Sequence, residues 1–314
     1  MDCLPEQLKR VRKNVPLAPY TTFRIGGPAR YFFVARSAKE VIEAVRVAKR
    51  CAVPFFVLAG GSNVLVSDKG FDGLVILLTL GKYSIKGTSV TAEAGVDMGT
   101  LVQETGKKGL SGFEWAGGLP GSVGGAVRGN AGAFTGEIKD SVVSVTALDR
   151  KGNVKKVSLK DCRFSYRNSF FKKNGWIVLE ATFRVKKGNR KKIQEIAKGC
   201  VAYRKAKHPL EYPNAGSMFK NCDVKKFSKK LQKELQHVVK VDPFPVVPTA
   251  YLISEAGLKG LRVKKAEVSK KHPNYVVNLG GATAKDVLLL LKKIKREVKK
   301  KFSVALEEEV QYIS

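Results

Sequence analysis

Two glycine-rich segments carry the chemistry most easily read in this chain. Between Glu114 and Ala133 there are seven glycines, one proline and almost no charge, in a protein otherwise crowded with lysine. Glycine gives up more conformational freedom on folding than any other residue, so concentrating it implies left-handed backbone or a close approach. Bare N–H groups in such a segment form concave nests that hold anions, a phosphate or diphosphate above all. Gly117, Gly118, Gly121, Ser122, Gly124, Gly125, Asn130 and Gly132 are the candidates here. A tight connection between two strands is the competing reading. Earlier in the chain a short apolar run, Pro54 to Ala59, leads into Gly60, Gly61, Ser62 and Asn63 and then into Val64–Val66. Strand, glycine turn and strand can wrap a diphosphate without a helix. There is no convincing G-x-G-x-x-G opening a helix, which disfavours a Rossmann domain. Two nests imply one long ligand with a diphosphate in its middle, and a dinucleotide answers that description.

The elements that must position these segments follow from periodicity. Ser37 with Glu40 predicts a capping box, and Val41, Ala44, Val45 and Ala48 continue at helical spacing. That helix feeds the strand at 55–58, a βαβ-like unit, and Leu74–Leu78 adds a buried strand. A strand pair and a helix are expected over 84–110, and strands at 142–148, 154–159 and 176–185, the first two joined by a turn at Asp149–Gly152. From about Asn189 the pattern becomes helical, with Ile193, Ile196, Ala197 and Cys200 on one face. A domain boundary is expected there: 1–190, subdivided near 80, then 191–314. In the last third Thr249–Ala256 reads as a helix ending at Gly257, and 274–278 as a strand. Thr283 starts a helix with Val287, Leu288, Leu291, Ile294 and Val298 inward, and 304–313 supplies a closing strand.

With 58 Lys and Arg against 27 Asp and Glu, the formal charge is +31 over 314 residues. Such a balance suits polyanion binding, but the lysines come in short bursts among ordinary core patterns, so a solvated basic surface is expected and nucleic acid is not. No apolar run approaches a membrane span, and the N-terminus lacks the apolar core of a signal peptide, which points to the cytoplasm. Five scattered cysteines with no C-x-x-C pair argue against disulfides and zinc and for buried thiols. The three histidines share no ligand spacing, so no metal is expected.

Val57–Asp68, Ala116–Ala126 and Asn130–Gly132, in this order, resemble the UDP-N-acetylenolpyruvoylglucosamine reductase (MurB) family, and the similarity runs from about Asn14 to Tyr312. The resemblance implies an α+β chain: a vanillyl-alcohol-oxidase (PCMH)-type FAD-binding fold in two α/β subdomains, plus a C-terminal α/β substrate domain to which the last strand returns. It implies FAD as cofactor, NADPH as co-substrate, a UDP-sugar as substrate and a role in peptidoglycan precursor synthesis; a monomer is expected. The segment Thr21–Gly27 is similar to one that borders the flavin in the family.

Reducing an enol ether conjugated to a carboxylate needs a hydride at the vinyl carbon, a cation or donor for the developing enolate, and an acid for the adjacent carbon. Phe164–Lys172 is similar to the family's tyrosine-arginine motif, which makes Arg167 the stabiliser of the enolate and Tyr166 a substrate contact. Arginine stays charged and grips a carboxylate bidentately. Asn214–Asn221 is similar to the G-S-x-F segment, which makes Ser217 the proton donor and Asn221 a substrate contact. Lys207 matches a position near substrate and fits a diphosphate contact, and Lys259 is a further substrate contact. Leu306–Ile313 is similar to the C-terminal L-x-x-E-V pattern, whose register picks Glu309 from three consecutive glutamates. Without the motifs, a surface ion pair, a hydroxyl turn and a solvated strand end would be the favoured explanations of these residues. Lys264, Lys265, Gln311 and Pro273 depart from the family pattern within the substrate domain. The chain lacks the tyrosine-bearing insertion of the larger subtype and resembles the shorter, type II form. The alternatives are another FAD oxidoreductase of this fold or a basic polyanion-binding protein.

Overall fold

A computed structural model describes residues 3–241 and 244–314. The chain forms two compact units. The first comprises 1–15, 29–60 and 71–204, the second 16–28, 61–70 and 205–314. This division differs from the expected boundary near 190, because the helix that starts there packs in the first unit and two short early segments belong to the second.

In the first unit, Pro28–Ala35, Phe71–Leu78 and Phe55–Leu58 are successive parallel neighbours in a four-stranded sheet that Arg12–Pro16 completes. Helix α1 (Cys3–Gln7) precedes it, and α2 (Ala38–Arg50) makes the crossover. Five apolar side chains of α2, from Val41 to Ala48, are buried, each fully buried valine contributing about 1.5–3 kcal/mol. Ser37 caps α2 by accepting from the Glu40 N–H at 3.2 Å. The Glu40 carboxylate accepts from the Arg36 N–H at 2.7 Å, one residue before the site a reciprocal capping box would use.

A five-stranded antiparallel sheet forms the rest of this unit, in the order Val154–Ser158, Val142–Leu148, Ile177–Arg184, Ser89–Glu93, Tyr83–Lys86. The turn at Asp149–Gly152 is the expected hairpin: the Asp149 carboxylate accepts from the N–H groups of Lys151 and Asn153, both at 2.8 Å. Four further helices are α3 (Met98–Lys107), α4 (Val123–Gly129), α5 (Phe170–Asn174) and α6 (Arg190–Lys207). Helix α4 is a departure. The glycine stretch was expected to be loop or turn, yet Ser122 accepts from the Gly125 N–H at 3.4 Å and starts a short helix there. On α6, Ile193, Cys200 and Arg204 face inward, while Ile196 is exposed.

The cysteine reading needs correction. Cys3 and Cys51 form a disulfide that ties the start of α1 to the end of α2, with Cα atoms 5.7 Å apart. The pair is separated by 48 positions and has no spacing signature, so only the fold reveals it. Cys162, Cys200 and Cys222 are free and buried, as expected of incidental thiols, and burial pushes the Cys162 thiol up to about 12.

The second unit has a four-stranded antiparallel sheet in the order Asn214–Ser217, Tyr275–Asn278, Ala266–Val268, Arg262–Val263. Its helices are α7 (Lys229–Glu234), α8 (Thr249–Glu255) and α9 (Ala284–Phe302). Inward on α9 are Val287, Leu290, Leu291, Ile294 and Val298, and Leu288 is partly buried against the same core. Two early segments are built into this unit. Phe23 and Ile25 lie in its core, and the Phe23 carbonyl accepts from Asn278 at 3.1 Å. Val64–Val66 pairs in parallel with Gln311–Ile313, and the Asp68 carboxylate accepts from the Ala284 and Lys285 N–H groups, capping α9 alongside Thr283. Among the described residues, no helix is long and apolar enough to cross a membrane.

Candidate functional site

The first unit brings the two glycine segments together. A Cβ added at Gly60 would lie 2.9 Å from the Gly121 Cα, so the segments touch through bare backbone. Gly61 follows with φ +59°, and its Cβ would meet the Tyr20 carbonyl at 2.2 Å within the second unit; the Thr22 N–H donates to the Gly61 carbonyl at 3.1 Å. The Thr21–Gly27 motif therefore lies against this turn.

The other candidates divide by what explains them. A Cβ at Gly117 would strike the Ala197 carbonyl of α6, one at Gly124 would strike Ala94, and one at Gly132 would strike Glu137. Gly118 lies against Arg204 and Val201. Close packing alone therefore requires several of these glycines. Gly125 meets only the Ser122 hydroxyl, at 3.7 Å. Asn130 is fully buried: its amide donates to Glu137 and to the Ser165 carbonyl, and its side-chain oxygen accepts from the Lys139 N–H. That side chain braces the loop. In the second unit, Asn63 donates to the Glu309 carbonyl at 3.2 Å, and its own carbonyl accepts from the Gln311 N–H. Backbone packed on backbone, without side chains between Gly60 and Gly121, is the kind of cradle a diphosphate fits.

Arg167 lies in the first unit with φ +54°, a left-handed conformation uncommon outside glycine. Its Nη2 donates to the Gly132 carbonyl at 2.8 Å, and its guanidinium carbon is 5.0 Å from the centroid of the Tyr166 ring. Lys172, at the end of the same motif, donates to the Arg167 carbonyl at 3.1 Å. Motif and glycine stretch are thus joined by hydrogen bonds, and the Tyr166 ring lies against the cation.

Ser217 and Glu309 lie together in the second unit. Asn214 makes an Asx turn, accepting from the Gly216 N–H at 3.0 Å, so the turn does not use the serine hydroxyl. That hydroxyl is half-buried and has no hydrogen-bond partner among the described residues. The Glu309 N–H donates to the carbonyl of Met218, the next residue, at 2.8 Å. Of its neighbours, Glu307 pairs with Lys220, and Glu308 with Lys295 at 2.5 Å. The Asn221 side chain accepts from the Thr249 N–H at 3.2 Å, while Lys207 and Lys259 are exposed.

One residue of this region was missed. Arg204 on α6 is buried, donates from Nε to the Gly117 carbonyl at 3.0 Å, and lies 5.1 Å from the Phe134 ring. It falls four positions after Cys200 on the inward face, so a cation on an apolar stripe was the available signal.

Residues 208–313 match the UDP-N-acetylenolpyruvoylglucosamine reductase C-terminal domain, and residues 29–158 match an FAD binding domain. The chain is 39% identical to the UDP-N-acetylenolpyruvoylglucosamine reductase of Clostridium novyi, over 97% of this chain and 92% of that one. It is 38% identical to the enzyme of the same name from Lactobacillus acidophilus, over 96% and 95%. A crystal structure of the Thermus caldophilus reductase superposes with a TM-score of 0.77 and 32% identity, covering 97% of this chain and 99% of that one. The α+β fold with an FAD-binding domain and a reductase C-terminal domain, expected from the resemblance, is the fold of this chain.

Proposed function

Because the chain belongs to the UDP-N-acetylenolpyruvoylglucosamine reductase family, we propose that it reduces the enolpyruvyl ether of UDP-N-acetylglucosamine to UDP-N-acetylmuramate, a step of peptidoglycan precursor synthesis, with NADPH as electron donor. FAD, the cofactor of the binding domain matched at 29–158, supplies the hydride when bound. The backbone of Gly60, Gly61, Ser62, Gly117, Gly118, Gly121, Gly124 and Gly125 would hold its diphosphate. Arg167 meets the negative charge that grows on the substrate carboxylate, and the Gly132 carbonyl and the Tyr166 ring fix the direction in which it does so. The Ser217 hydroxyl gives its proton to the carbon next to the carboxylate, and the Glu309 carboxyl helps offset the charge formed there. Lys207, Asn221 and Lys259 belong to substrate binding, Lys207 as a partner for the diphosphate. We read the protein as a cytoplasmic monomer.

The observation that carries this reading is the Ser217 hydroxyl. It sits in the family's motif, half-buried and unspent, one residue from the carbonyl that holds Glu309. The test is product analysis after anaerobic incubation with NADPH and the enolpyruvyl substrate. The expected product is the lactyl ether, carrying one solvent hydrogen on the carbon beside the carboxylate. Recovery of unchanged substrate would refute the reading.

A further inference from the structure

The strands Gly132–Ala133 and Gly136–Glu137 are joined by only two residues, Phe134 and Thr135, and both are left-handed, at φ 48° and 66°. Two-residue hairpin turns of this type need positive φ at both positions, which is why Asn-Gly and Asp-Gly dominate them. A phenylalanine followed by a β-branched threonine is a strained choice, and such strain persists only where the surroundings over-determine it.

Those surroundings are visible. The Arg204 guanidinium lies over the Phe134 ring at 5.1 Å, and the Tyr203 ring meets it edge-on at 5.3 Å. Arg204 is itself anchored by the Gly117 carbonyl. On the other strand, Gly136 is pressed so close to Trp115 that an added Cβ would lie 2.4 Å from the indole. Glu137 is held by Asn130 and by Lys139 at 2.6 Å. What this clamped hairpin presents is the Gly132 carbonyl, which accepts from Arg167 at 2.8 Å.

We propose that Phe134 is a positioning residue for Arg167: gripped by Arg204 and Tyr203, it fixes the hairpin whose Gly132 carbonyl aims the guanidinium. The proposal rests on the charge-stabilising role assigned to Arg167 above. Through Gly117, the same Arg204 ties the glycine stretch to this hairpin. A displacement of about 1 Å at a catalytic group costs on the order of 100-fold in rate, so a turn this specific has a use.

The test is anaerobic stopped-flow on the flavin-loaded enzyme, with reduction by NADPH and reoxidation by the enolpyruvyl substrate followed separately. Phe134→Ala should slow reoxidation roughly 10- to 100-fold and leave flavin reduction unchanged. Phe134→Tyr, which keeps the ring face, should restore it. Phe134→Leu fills similar volume without that face and should behave as alanine does, which covers the case of an unfolded alanine variant. In an Arg167→Lys background, Phe134→Ala should add little, because the two act as one unit. Without flavin or substrate, Phe134→Ala should raise amide exchange over 132–137. Unchanged exchange, full additivity with Arg167→Lys, or equal slowing of both half-reactions would overturn the proposal. A slow Arg167→Lys beside an unaffected Phe134→Ala and Phe134→Leu would overturn it alone, whereas an unaffected Arg167→Lys would overturn the role of Arg167 itself.

Discussion

A serine hydroxyl is a weak acid, and Ser217 can protonate only a strongly basic carbon placed against it. Ser217→Ala should therefore leave flavin reduction by NADPH intact and slow reoxidation by the substrate by two or more orders of magnitude, about 3 kcal/mol of barrier. Stopped-flow traces separate the two halves, and normal reoxidation would remove Ser217 from its role. At this scale the motifs were readable because they are contiguous: Tyr166 and Arg167 touch, and Ser217 lies a few residues from Asn214 and Asn221. Arg204 was not readable as a site residue. Its partners, Gly117 and Phe134, are far away in sequence, and only folding places a buried guanidinium between them.

Among the elements, the short helix α1 is secured by the Cys3–Cys51 bridge and by Leu4 in the core. Closing a loop of this length removes denatured-state entropy equivalent to about 4 kcal/mol in the chain-entropy model. Replacing Cys3 and Cys51 by serine, or reducing the protein, should lower the melting temperature by several degrees, with mobility on a non-reducing gel reporting the bridge. An unchanged transition would mean that α1 stays docked without it. A second element, the loop 269–274, holds His272, whose Nδ1 is buried without a hydrogen-bond partner among the described residues. Burial, aided by Lys240, lowers its pKa from 6.5 to about 4. Between those values the unfolded chain binds more protons than the folded one. Stability is therefore full above about pH 6.5 and falls as the pH drops toward 4, by at most about 3 kcal/mol. His272→Phe should flatten that part of the melting-temperature profile; a profile parallel to the wild type would refute the assignment. Strands and long helices were legible from period and caps. Helix α4 was not, since glycine-rich sequence has low helix propensity and tertiary packing against Ala94 decides the matter.

For the molecule as a whole, the interleaving of the two units escaped a linear reading. Asp68 caps a helix more than two hundred residues away, and Val64–Val66 pairs with the C-terminal strand, so 61–70 belongs to the second unit by contacts that no local pattern records. The charge of +31 acts at this scale as well. A positive field should draw in the diphosphate-bearing substrates, so the bimolecular rate of reoxidation should fall steeply between low salt and about 0.5 M. A salt-independent rate would show that the lysines serve something other than substrate capture. The proposed passage of electrons runs from NADPH through FAD to an enolpyruvyl UDP-sugar. It is tested most directly by the visible spectrum of the purified protein under anaerobic titration. A flavin spectrum that bleaches with NADPH and returns on adding the enolpyruvyl substrate is expected. A colourless protein that cannot be loaded with FAD, or a bleached flavin that the substrate leaves reduced, would contradict it.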